Sequence, residues 1–197
     1  MAADDYLDVR VRELLDRISA DGLAPGGGSA SALTVAFAAR LVAMVARCSP
    51  EWEVAAGVAA QANAISDRAV GLAGADGLAW EAALLALRDA ETAEDEDARR
   101  SFALEQKLEA AASAPLEIAS LGADVAALAA EAGDSCEATY RADAAAAAAL
   151  AAGGAAAAAH LVRVNLGVHG SDPRLERALA SEQTARDLAD RLLESTG

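Results

Sequence analysis

Residues 143–166 read DAAAAAALAAGGAAAAAHLVRVNL, from Asp143 to Leu166. Alanine is the strongest helix former and adds almost no bulk. This stretch is therefore expected to be a long helix beginning after the turn Gly133-Asp134-Ser135-Cys136 and ending near Leu166. Its most apolar part, Ala144 to Ala159, is shorter than the roughly 18 residues of a membrane span and is soon followed by Arg163, so it reads as a helix buried in protein. The rest of the chain has the same character. Hydrophobic residues make up 54% and aromatic ones 3%, and roughly three residues in ten are Ala, far above ordinary usage. Helices faced with alanine approach toward the low end of the roughly 8–10 Å interaxial range. The composition predicts an all-α bundle of closely packed helices within one domain, residues 1–197.

Working outward, punctuation divides the chain into about seven or eight helices. Leu7, Val11, Leu14, Leu15 and Ile18 share one face of a helix over Tyr6 to Ser19. Asp21 to Gly28 breaks it, and a second helix is expected from Ser29 to Cys48. A third covers Glu51 to about Ala73. Gly71, Gly74 and Gly77 suggest a junction before a helical stretch from Trp80 to Ala90. Thr92 can cap the next helix, with acidic residues in its first turn facing the positive end of the helix dipole. Further helices are expected over Leu116 to Ala132 and, behind Pro173, over Arg174 to Leu193.

Charge narrows the partners. The net charge is −15, from 31 acidic and 16 basic residues, and Lys107 is the single lysine. Without a basic stripe, nucleic acid and anionic membrane are not expected partners. Cys48 and Cys136 are too few for a disulfide framework, and His160 and His169 lack the cysteines of a zinc pattern, so no metal is expected. Met1-Ala2-Ala3-Asp4-Asp5 lacks the basic and apolar regions of a signal peptide, which points to the cytoplasm.

The element Ala24-Pro25-Gly26-Gly27-Gly28-Ser29-Ala30-Ser31 has two readings. It can be a connector with Ser29 or Ser31 as cap. Yet three consecutive glycines cost backbone entropy that a turn does not require. They would leave amide N–H groups uncovered at a helix N-terminus, where an anion or developing negative charge can be held. No Lys-Ser/Thr pair follows them, so a phosphate loop is not indicated.

This element, opening an Ala-rich helix that ends in Met44-Val45-Ala46-Arg47, resembles the signature of the cyclodeaminase/cyclohydrolase family, which includes methenyltetrahydrofolate cyclohydrolases and the cyclodeaminase part of formiminotransferase-cyclodeaminase. Further matches follow in order: Asp76-Gly77-Leu78-Ala79-Trp80, Thr92 through Arg99, Ala114-Pro115-Leu116-Glu117, Asp143, and Val162-Arg163-Val164-Asn165-Leu166. The resemblance implies an all-α homodimer acting on a folate-type small molecule. One branch hydrolyses 5,10-methenyltetrahydrofolate to 10-formyltetrahydrofolate. The other cyclises 5-formiminotetrahydrofolate with loss of ammonia. Neither needs a cofactor beyond the tetrahydrofolate derivative itself. Both pass through a tetrahedral amidine-derived centre, which calls for an acid/base carboxylate and hydrogen bonds to the shifting charge.

On this resemblance Asp143 and Asp76 are the catalytic candidates, and Gly26, Gly27, Gly28, Ser29, Arg163 and Asn165 the substrate-binding ones. Each has a structural alternative. Asp143 can be the dipole partner of its helix, Asp76 a cap, and Arg163 and Asn165 complements to a helix C-terminus. Trp52 and Trp80 read as core or interface anchors before stacking platforms for a pterin, and His160 as a helix-face residue before a catalytic one. The chain departs from the family in Cys136 to Ala142, where small and amide residues are replaced, and in Leu161, which stands for a common Asn. These departures suit a relative moved to another amidine-like substrate, or a non-catalytic dimer that binds a small molecule or protein. If Asp143 and Asn165 lie on one unbroken helix, they are roughly 33 Å apart along it and cannot meet at one reacting centre within a chain. Either two subunits share the site, or Gly153-Gly154 breaks the helix.

Overall fold

The computed structural model describes residues 8–20, 25–91, 98–167 and 172–196. Among them the chain forms α1 (Val11–Ser19), α2 (Gly27–Arg47), α3 (Ala55–Glu91), α4 (Ala98–Ala111), α5 (Ser113–Ser135), a 3-10 turn (Ala138–Tyr140), α6 (Arg141–Leu166) and α7 (Pro173–Thr196), with no strand. Tyr6, Leu7, Thr92 and His169 lie outside the described residues.

Alanine shapes the packing. Helix α6 lies against α2, α5 and α7, and α2 also packs on α3. The core consists mostly of fully buried alanines and valines, with Ile118 and Leu192 the largest fully buried side chains. Two glycines mark where backbones come closest. A Cβ on Gly154 of α6 would lie 2.7 Å from Val35 Cγ2 and 3.2 Å from the Ser31 carbonyl of α2. A Cβ on Gly122 of α5 would lie 2.9 Å from Ala155 Cβ and 3.0 Å from the Ala151 carbonyl of α6. Polar ties fix the helix ends: Ser49 Oγ donates to the Val45 carbonyl and accepts from the Glu137 N–H at 3.1 Å. Arg40 of α2 reaches Asn63, Ser66 and Asp67 of α3.

One expectation is corrected, and one of two alternatives falls away. Gly71, Gly74 and Gly77 do not interrupt α3, which runs unbroken for 37 residues. A helical glycine costs only about 1 kcal/mol relative to Ala, and Gly74 and Gly77 are buried where tertiary packing offsets that cost. Gly153-Gly154 does not break α6 either. The helix has 26 residues and stops at Gly167, whose φ of 63° is a backbone conformation that favours glycine. The length argument against a membrane span therefore fails. By length and composition, four helical stretches, Gly27–Arg47, Ala55–Arg88, Leu104–Ser135 and Ala138–Leu166, are sufficient to cross a bilayer.

Candidate functional site

The glycine turn opens α2 directly. Gly26 is its N-cap with extended backbone, and no side chain caps it. The capping anion comes from α3: the Ser29 N–H donates to the Asp76 carboxylate. The Ser29 hydroxyl donates to the Ala73 carbonyl at 2.7 Å, one turn earlier on α3. Ser29 thus holds two helices together and aims the carboxyl at the turn. Gly28 has to be glycine for this: a Cβ there would lie 2.1–2.2 Å from the Asp76 carboxyl atoms.

Asp76 is buried. Burial pushes its carboxyl up from 3.8 to about 6, against the opposing pull of the Ser29 N–H. The group is mainly ionised at neutral pH, yet close enough to it to take and return a proton.

A cavity of about 340 Å³ opens beside this carboxyl, within the range of small-molecule sites. The turn and Asp76 form one wall, Trp80 of α3 another, and His160, Leu161, Val164 and Asn165 of α6 the third. Asn165 is buried, and its Nδ2 donates to the Ala111 carbonyl at 2.9 Å. That bond fixes the carboxamide and leaves its Oδ1 to accept from an occupant. Leu161 closes over the turn, with its methyls 3.8 and 3.9 Å from where a Gly27 Cβ would be.

The structure gathers Gly26, Gly27, Gly28, Asp76 and Asn165 around this one space, with Ser29 directly behind it. It does not gather the others. Asp143 is half-buried in the first turn of α6, at the far end from Asn165. Arg163 is exposed and donates from Nη2 to His160 Nδ1 at 2.7 Å, outside the lining. Trp80, read from sequence as an anchor, lines the cavity. Trp52 packs on the main core. Sequence reasoning missed Leu161 and Val164 as walls. The signal was their spacing from Asn165, which puts residues 161, 164 and 165 on neighbouring azimuths of a helix. Among the described residues, no three His, Cys, Asp or Glu side chains gather where they could hold a metal ion.

Comparison with known proteins fits this geometry. The sequence profile described as formiminotransferase-cyclodeaminase matches residues 10–184. The crystal structure of formiminotetrahydrofolate cyclodeaminase from Thermotoga maritima superposes with a TM-score of 0.79 at 20% identity, covering 96% of this chain and 98% of that one. At that identity the likeness speaks to the fold. No curated protein matches the chain in sequence. A profile match over most of the length, carried by an all-helical bundle of the same shape, shows that this chain belongs to the formiminotransferase-cyclodeaminase family.

Proposed function

We propose that the protein opens or closes the one-carbon bridge of a tetrahydrofolate, as a methenyltetrahydrofolate cyclohydrolase or a formiminotetrahydrofolate cyclodeaminase, in the cytoplasm and with no cofactor beyond the folate. The observation that carries this is Asp76, a buried carboxyl with a pKa of about 6 that faces a cavity beside the glycine turn. The methenyl bridge is a cationic amidinium. Ionised Asp76 favours that cation, and among the described residues no Arg or Lys lines the cavity to oppose it.

In ring opening, Asp76 takes a proton from the water that attacks the bridge carbon. A tetrahedral carbinol forms, Asp76 returns the proton to N5, and the carbon–N5 bond breaks as the carbinol hydroxyl loses its own proton to solvent, leaving the formyl group on N10. In ring closure, N10 attacks the formimino carbon, Asp76 receives the N10 proton, and the departing nitrogen leaves as ammonia after protonation. The Asn165 carboxamide orients the reacting nitrogens. The first amides of α2, which have no intrahelical acceptor, solvate the oxygen or nitrogen that gains electron density.

Leu161 and Val164 favour a second reading, in which the same chemistry serves another amidine-like compound. An apolar wall cannot supply the hydrogen bonds of the amide that Leu161 replaces. The test is to follow the loss of 5,10-methenyltetrahydrofolate absorbance against its spontaneous rate, with ammonia release from the 5-formimino compound as a parallel arm. Acceleration in either arm supports the first reading. Failure in both, combined with turnover of simpler amidines, moves the assignment to the second.

A further inference from the structure

Helix α6 meets the cavity with two rows of side chains, the members of each row four residues apart and so one above the other on the helix. The inner row is Leu161, half-buried, and Asn165, buried. The outer row is His160 and Val164, both exposed. Asp76 and Asn165 serve the reacting atoms from the inner wall. His160 stands at the mouth, and the proposed chemistry does not use it.

The partner of His160 fixes what the ring can do there. Its Nδ1 lies 2.7 Å from Nη2 of Arg163, three residues further along α6. A guanidinium has N–H donors and no acceptor, so Nδ1 must be the unprotonated nitrogen that accepts. An imidazolium would set N–H against N–H. The ring is therefore neutral, with its one proton on Nε2. The two nitrogens point to opposite sides of the ring. With Nδ1 turned to Arg163, which lies outside the lining, Nε2–H is left for the cavity. Charge makes this arrangement useful. A cationic ring at the mouth would repel the amidinium that Asp76 attracts, whereas a neutral N–H asks only for an acceptor.

We infer that His160 Nε2 donates a hydrogen bond to an uncharged acceptor of the substrate, such as a carbonyl oxygen, and that Arg163 is the positioning residue that sets this tautomer. The occupant so selected has a cationic centre at the Asp76 end, an apolar body against Trp80, Leu161 and Val164, and a neutral acceptor at the mouth. A simple amidine has the first of these and lacks the last, so it leaves the His160 donor without a partner and binds less well. The substrate acceptor rests on the proposed function. The tautomer rests on the hydrogen bond alone.

The test joins a spectroscopic readout that needs no substrate to a kinetic one that does. Two-bond proton–nitrogen correlation of the imidazoles at a pH above about 8, where imidazoles are neutral, should show His160 with its proton on Nε2. His160→Gln assigns the signals against those of His169, the other histidine. Arg163→Glu puts an acceptor in place of the donor and should move the proton to Nδ1, whereas Arg163→Lys should leave it on Nε2. With 5,10-methenyltetrahydrofolate, or the 5-formimino compound if the enzyme works in the closing direction, His160→Leu and Arg163→Glu should each raise KM about 10-fold at unaltered kcat, the size of one lost neutral hydrogen bond. His160→Gln, whose carboxamide can donate, and Arg163→Lys should bring KM back toward the wild-type value. A proton on Nδ1 in the wild type, or a tautomer that Arg163→Glu does not change, would overturn the positioning role. A wild-type KM in His160→Leu, or a loss confined to kcat, would overturn the donor at the mouth. No turnover of either folate by the wild type would instead remove the proposed reaction and with it the substrate acceptor given to His160, and the nitrogen spectra alone would then judge the part given to Arg163.

Discussion

Replacing Asp76 with Asn should make the protein more stable at neutral pH and much less active. In the folded chain its carboxyl titrates near 6 because burial disfavours the charged form; its ordinary value is 3.8. A carboxyl raised on folding holds its proton in the native state over pH values where the unfolded chain has lost it. Stability from this group is therefore greatest below about pH 4, falls as pH rises through the 3.8–6 window, and stays low above it. The full difference corresponds to about 3 kcal/mol as an upper bound, reduced by any solvent reaching the cavity. Asn keeps the shape and an oxygen that accepts from the Ser29 N–H, but carries no charge to desolvate. Urea unfolding of both proteins across this range should show Asp76→Asn gaining about 2–3 kcal/mol at pH 7.5 and little near pH 4. Taking the difference between variants cancels the other carboxylates. An Asp76→Asn effect that is the same at both ends of the range would refute the reasoning, since it would mean that burial does not perturb this carboxyl.

Gly28→Ala should swing Asp76 away from the turn, because the new Cβ would lie 2.1–2.2 Å from its carboxyl. Activity should fall about 100-fold or more, whereas Gly57→Ala, with open space around it and away from the cavity, should be silent in the same assay. Gly27→Val should fill the cavity against Leu161 and abolish ligand binding with most helicity intact, which calorimetry and circular dichroism would read separately. Asn165→Leu should cost about 1–3 kcal/mol in unfolding experiments, since it strands the Ala111 carbonyl. Gly154→Ala should destabilise by about 1–3 kcal/mol against Val35 and the Ser31 carbonyl. Gly71→Ala, in open space on α3, should gain up to about 1 kcal/mol.

The helical class was legible because alanine carries both propensity and packing in this chain. The ends of α2 and α7 fell within two or three residues of expectation. Where the reading went astray, local signals met tertiary ones. Gly71, Gly74 and Gly77 look like a break, but a glycine's penalty is small beside the burial of a long helix, and no window of sequence reports that burial. The glycine turn and Asp76 were both visible as candidates, yet their meeting was not: 48 positions separate Gly28 from Asp76, and only the approach of α2 to α3 shows why the glycine and the carboxyl need each other. The sequence offered an external anion for the bare amides of the turn. The chain supplies its own, so the Ser29 amide is already occupied. Trp80 read as an anchor because a half-buried ring beside a cavity and one inside a core have the same sequence signature.

In the proposed reaction Asp76 moves protons in one-carbon chemistry on a tetrahydrofolate. The most direct test of this is the initial rate of methenyltetrahydrofolate absorbance loss at neutral pH, with wild-type and Asp76→Asn protein side by side against buffer, and formimino-dependent ammonia release as the matching rate if the enzyme works in the closing direction. The wild type should show saturable acceleration that climbs as pH rises through about 6, where Asp76 ionises, and the variant should lose about 100-fold or more. Wild-type and variant rates that coincide, whether both equal buffer or both exceed it alike, would contradict this role of Asp76.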